Sequence, residues 1–145
     1  MKTSIHLFLS RATIALVILW NVQCAITFLV WPDHFVSSFD LAGVPGEAAI
    51  RGVGVLFLMW NVPYAIAFWH PIRYRISHLE AIAMQTIGLL GETLIWMSLS
   101  PAQRVLRSSL LRFMAFDGAG LVLLLLALWM ASSAHHTPSK RRILG

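Results

Sequence analysis

Residues 47–70 read EAAIRGVGVLFLMWNVPYAIAFWH, and the reading of this stretch decides the fold. About 20 mostly apolar residues are enough to cross the hydrocarbon core of a bilayer. This stretch has them, yet it opens with Glu47 and Arg51 and carries Asn61 near its middle. A charge inside a span is expensive unless another group answers it. The expectation is a membrane helix that turns a polar face toward partner helices.

Three further apolar runs are the candidate partners. The chain has 145 residues, 58% of them hydrophobic and 12% charged, against about 25% charge in soluble domains. Lipid is therefore the expected solvent, and the length suits a single domain. The net charge of +5 comes from short basic clusters beside the apolar runs, which is the pattern of juxtamembrane Lys and Arg. Nucleic acid is not an expected partner. Cys24 is the single cysteine, which excludes an intrachain disulfide, a CxxC redox pair and a cysteine-rich metal site.

Helices are expected over about 12–31, 48–69, 79–98 and 111–130. Short connections make neighbours antiparallel. The fold class predicted is all-α: a four-transmembrane-helix, up-and-down bundle over residues 1–131, followed by a basic cytoplasmic tail at 132–145. The first run resembles a secretory leader at its start, but it continues past Cys24 as AITFLVW and reads as a retained helix. In the loop 32–46, the Gly43-Val-Pro-Gly46 signal marks a turn, and Phe35, Val36, Phe39 and Leu41 are expected on the bilayer surface.

LVILWNVQCAITFLVWPDHF, from Leu16, is similar to LFLMWNVPYAIAFWHPIRY, from Leu56, at an offset of 40 residues. The likeness is either a duplicated helix-plus-loop unit or chance between two apolar segments. It places Trp31 and Trp69 at helix ends, where interfacial aromatics belong. Lys2, Arg11, Arg73, Arg75, Lys140, Arg141 and Arg142 fall on one side of four spans. Arg104, Arg107 and Arg112 fall on the other. Both termini are therefore expected in the cytoplasm, with a bacterial inner membrane as the setting.

That topology puts Arg51, Glu92 and Asp117 in the outer half of the membrane. Asn21 and Asn61 come nearer the midplane, and Gln85 deeper. Glu47, Gly54 and Asn61 recur every seven residues, and Gln85, Gly88 and Glu92 share another face. Glu47 and Arg51 are neighbours one turn apart. The expected network is Arg51 bridged to Glu92, to Asp117, or to both. Such a network either serves a ligand or only fixes helix register. Asn21 and Asn61 read first as interhelical glue. Three glycine pairs, in R-G-V-G, G-L-L-G-E and D-G-A-G, point to close packing around the charged layer.

His6, His70, His78, His135 and His136 fall at the cytoplasmic edge or in the tail, and His34 outside, so a histidine clamp for haem is not expected. No metal site is read from the sequence. Walker, Rossmann, HExxH and GxSxG patterns are missing. Without a nucleophile and base in register, a self-contained enzyme is the least expected class.

Residues 45–75 carry Arg51-Gly52 near the start of a long apolar helix, an aromatic near its end and the short basic loop HPIRYR. This pattern, with the chain length and four spans, resembles the DoxX-like group of small four-helix membrane proteins. The resemblance implies a quinone-associated or redox-stress role and assigns no catalytic residue. Two function classes follow. One is a binding or accessory subunit whose outer polar pocket holds a quinone, lipid or other small amphipath, or docks to a larger membrane complex. The other is a small transporter or channel, dimeric, exchanging protons or ions through Glu92 and Asp117.

Overall fold

The computed structural model describes residues 2–135, with side chains described over 5–134; most of the expected tail, 136–145, lies outside the described residues. Helix α1 spans Lys2–Val30. A short α2, Asp33–Val36, runs into a 3-10 turn at Ser37–Phe39. The long helices α3 (Gly43–Trp69), α4 (Arg75–Ser98) and α5 (Arg104–His135) follow. Asp40 (φ 54°) and Gly43 (φ 60°) take the left-handed conformation and reverse the chain into α3. Glycine does this without a Cβ clash. At the far end of α3, His70 precedes Pro71 and is extended (φ −155°, ψ 91°), as a residue before proline must be.

The four long helices form a ring in which α1 touches α3 and α5, and α4 touches the same two. Their directions alternate. Ser10, early in α1, donates to the Ala127 carbonyl late in α5 at 2.8 Å. Phe28, late in α1, meets Phe113, early in α5, with ring centroids 6.2 Å apart. Arg107 at the start of α5 donates to the carbonyls of Trp96 (3.1 Å) and Leu99 (2.8 Å) at the end of α4.

Two apolar layers fill the ring. Ile14, Val17, Tyr64, Ala67, Ala81, Leu124 and Ala127 make one. Ala25, Phe28, Val36, Ile50 and Phe57 make the other, with Phe35, Phe39 and Phe113 packed on it. The surface placement expected for Phe35, Val36 and Phe39 is thereby corrected. Phe28 presents a ring that Phe35 approaches to 4.7 Å, and burying aromatic area outweighs leaving it at an interface.

Three helices are long and apolar enough to cross a membrane: Ile5–Val30, Gly43–Trp69 and Arg104–Ala134. The fourth expected span, α4, is long enough but falls short in apolarity. Arg75, His78, Glu80, Gln85 and Glu92 interrupt it. All four helix starts also differ from expectation, with α1 beginning at Lys2 in place of 12 and α4 at Arg75 in place of 79. Helix α3 begins at Gly43 and α5 at Arg104, well ahead of 48 and 111. The polar run before 111 resembles a loop, but Arg107 caps the end of α4 and Ser109 is buried, which makes that run a helical first turn.

Of each glycine pair, one member is at a helix crossing and the other faces open space. A Cβ at Gly54 would lie 3.1 Å from the Ala25 carbonyl oxygen and from Phe28, whereas Gly52, Gly91 and Gly118 have nothing within 4 Å. The expectation that both members pack is corrected accordingly. Overpacking a close contact costs about 1–3 kcal/mol. Gly54→Val is expected to lower the melting temperature in detergent, and Gly52→Ala to leave it unchanged, as read by circular dichroism.

Candidate functional site

The interior polar chain starts on α3. The Tyr64 hydroxyl donates to Gln85 Oε1 at 2.6 Å. Gln85 Nε2 on α4 donates to Asp117 Oδ1 on α5 at 2.8 Å and to the Asp117 backbone carbonyl at 3.3 Å. Gln85 and Asp117 are buried, with 4% and 5% exposure. Two glycines make room for them. A Cβ on Gly88 would collide with Asp117 Oδ2, and one on Gly120 would sit 2.7 Å from Gln85 Nε2. Gln85-x-x-Gly88 on α4 and Asp117-x-x-Gly120 on α5 therefore clamp each other reciprocally, each polar side chain seated on the other helix's glycine. Small residues permit such backbone approach between membrane helices.

Asn61, one turn before Tyr64, is buried. Its Nδ2 donates to the Phe57 carbonyl at 2.7 Å, while Oδ1 is buried without a partner among the described residues. Asn21 is also buried. Trp20 beside it meets the Phe116 ring at 5.7 Å, which brings this part of α1 level with Asp117.

Arg51 does not join this set. It is exposed and pairs with Glu47 at 3.6 Å, so the expected bridge to Glu92 or Asp117 is corrected. The cause is the helix face. On α3 the buried positions are Gly46, Ile50, Gly54, Phe57, Asn61 and Tyr64, and Arg51 is about 100° around the axis from Ile50. Asp117 is also deeper than expected. Because α5 starts at Arg104, Asp117 lies more than three turns in, level with Gln85 and away from Arg51. The outer layer of three opposed charges does not exist.

Glu92, one turn beyond Gly88 on α4, makes no hydrogen bond to Asp117. Its Oε2 is buried with no hydrogen-bond partner among the described residues. It lines a cavity of about 130 Å³ with Phe39, Val53, Leu56, Phe57, Trp60, Leu110 and Phe113. A larger cavity, about 350 Å³, opens on the other side of Phe39 and Phe113. Cys24, Thr27 and Phe28 of α1, His34, Phe35, Ser38 and Phe39 of the short helical segment, and Ser109, Arg112, Phe113 and Phe116 of α5 supply its walls. At its edge Arg112 Nη2 donates to Ser109 Oγ at 2.9 Å, and Ser109 in turn donates to the Ser38 carbonyl. A guanidinium has five N–H donors, and no carboxylate pairs with Arg112 among the described residues.

Tyr64, His78, Ser109 and Arg112 were not singled out by the sequence reading. Tyr64 is three residues from Asn61, on the same face. His78 was placed at an edge but is fully buried, with Nε2 3.0 Å from the Leu124 carbonyl. A carbonyl only accepts, so Nε2 carries the proton. His78, Gln85 and Glu92 recur every seven residues, a signal that identifies the inner face of α4. No group of three or more His, Cys, Asp or Glu suited to a metal ion exists among the described residues.

Stranding a buried polar group costs about 1–3 kcal/mol. Gln85→Ala strands Tyr64 and Asp117 together and is expected to lower thermal stability by an amount in that range. Asp117→Asn keeps an acceptor for Gln85 and is expected to melt close to the parent. In the Tyr64→Phe/Gln85→Ala cycle, the losses should fall short of additivity; additive losses would break the hydrogen-bonded chain described above.

No protein-family model, no curated protein and no solved structure matches this chain.

Proposed function

We propose that this is an integral membrane protein with four spans that binds a small amphipathic molecule in the 350 Å³ cavity beside Arg112. The outer surface supports the four spans. Phe8 and Leu19 of α1, Val62 of α3, Ile87 and Leu94 of α4 and Trp129 of α5 are each more than half exposed, so apolar side chains face outward on every long helix. The polar residues of α4 that interrupt its apolar run include His78 and Gln85, which are buried against α5 and α3. The proposed setting remains the bacterial inner membrane, with both termini cytoplasmic.

The observation that carries the binding function is the cavity itself. Ligand pockets run from about 300 to 1,000 Å³, are mostly apolar, and hold a few polar groups that orient the ligand. Here the apolar walls are phenylalanines, and the polar group is a guanidinium anchored on Ser109. The ligand's tail lies among Phe28, Phe35 and Phe116, and its head accepts hydrogen bonds from Arg112. A quinone carbonyl or a lipid carboxylate fits that description; the DoxX-like resemblance favours the quinone. In this reading the chain works as a binding or accessory subunit, alone, as a homodimer or within a larger membrane complex.

A second reading, a small proton- or ion-coupled carrier, is favoured by one observation, the unanswered carboxylate of Glu92. Flux driven by a pH gradient in liposomes and abolished by Glu92→Gln is its signature.

Purification in native lipid followed by mass spectrometry is expected to recover a bound amphipath. Titration of a short-chain quinone and of a fatty acid identifies the class. Arg112→Ala should weaken binding at least tenfold, about 1.4 kcal/mol. Retention of nothing but bulk lipid, with equal affinities for parent and Arg112→Ala, would remove the proposed site. Cysteines placed singly at Ser77 and Ser100, in a chain lacking Cys24, should label from opposite sides of the membrane if α4 spans it.

A further inference from the structure

The smaller cavity has a different chemistry from the larger one. Its walls present Phe39, Phe57, Trp60 and Phe113, and a single carboxylate, that of Glu92, completes them. The rings converge: Phe57 meets Trp60 at 5.6 Å and 65°, and Phe39 meets Phe113 at 5.7 Å. Aromatic faces attract cations, most strongly methylated and alkylated ammonium groups when the site is desolvated. A carboxylate within such a box adds a full negative charge.

The fold does not supply the countercharge. Each nearby guanidinium is held elsewhere: Arg51 by Glu47, Arg107 by the carbonyls that end α4, and Arg112 by Ser109. Among the described residues, Glu92 Oε2 has no hydrogen-bond partner although it is out of contact with solvent. Asp117, which is buried where Glu92 is half-buried, is already engaged by Gln85. The cavity of about 130 Å³ equals roughly four water volumes at ~30 Å³ each, room for a compact head group and not for a whole amphiphile. Leu56 lines its wall and is 45% exposed on the outside of α3, which leaves a path for an attached alkyl chain toward lipid.

We infer that the Glu92 cavity is a binding site for an organic ammonium head group, with Phe39, Phe57, Trp60 and Phe113 around the cation and the Glu92 carboxylate as its counter-ion. The head group is that of an amphipathic amine or of an aminolipid; both bring the same ammonium to the same box.

The probe is dodecyltrimethylammonium, titrated into the full chain in nanodiscs of phosphatidylglycerol, with isothermal calorimetry as the readout. Saturable binding is expected. Glu92→Gln should weaken it at least tenfold, and Trp60→Leu at least threefold, while Trp60→Phe retains it. Dodecanol, which has the chain without the charge, should not compete. Discs containing phosphatidylethanolamine separate the sources. Competition there assigns the site to an aminolipid, and its absence assigns it to a free amine. Equal affinity of the parent and a folded Glu92→Gln, or effective competition by dodecanol, overturns the inference. Melting curves of each variant establish folding, and the Trp60→Phe and Trp60→Leu pair tests the cation box even if Glu92→Gln is destabilised.

Discussion

The reciprocal seat of Gln85 on Gly120 and Asp117 on Gly88 constrains everything else in the bundle. Two polar side chains cross the same helix interface in opposite directions, and each needs a glycine across from it. That fixes the rotation and axial register of α4 against α5 at once, because a slip by one residue would drive either side chain into a Cβ. Tyr64 then binds α3 to the same amide. In lipid, hydrophobic burial does not favour helix association as it does in water, so packing and interhelical hydrogen bonds set the arrangement. Here both act at one crossing.

With α4 and α5 fixed in this way, the two ends of the bundle diverge. At one end Ala67, Ala81, Ala127 and Ala131 are small and buried, and the helices close on one another. At the other end, phenylalanines from α1, α3, α5 and the short helical segment meet around Phe28. The cavities lined by Arg112 and by Glu92 are both found there.

Much of this was legible in the sequence. The long helices and the inward stripes of Gln85, Gly88 and Glu92 and of Gly54 and Asn61 follow from helical periodicity, and the inward placement of Asp117 follows from the cost of a charge in lipid. What periodicity misses is which part of a stripe meets a neighbour. Arg51 lies only one residue from buried Ile50, and that rotation takes it out to Glu47. Asp117 was placed too near a helix end because the polar residues from Arg104 to Ser109 resemble a loop. Their role in capping α4 depends on Trp96 and Leu99, which no local pattern links to them. The cavities were invisible for the same reason, since Phe39 and Phe113 are far apart in the chain.

The distribution of charge has a consequence of its own. Five of the described arginines are held by a carboxylate, a carbonyl, a hydroxyl or a ring: Arg51 by Glu47, Arg112 by Ser109, Arg11 over Phe68, Arg73 over Tyr74, and Arg107 over Trp96 and on two carbonyls. Glu92 and Asp117 are within the bundle with no basic side chain in ion-pair reach among the described residues. The acidic groups of the interior thus have no basic partner there, and the Arg112 guanidinium lines the cavity on the far side of the Phe39–Phe113 wall. Two neighbouring cavities separated by that pair of rings thus differ in their polar lining, one carrying the Arg112 guanidinium and the other the Glu92 carboxyl group. A wall of aromatic rings transmits no hydrogen bond, so Arg112 and Glu92 are kept from direct pairing by the same packing that holds the end of the bundle together.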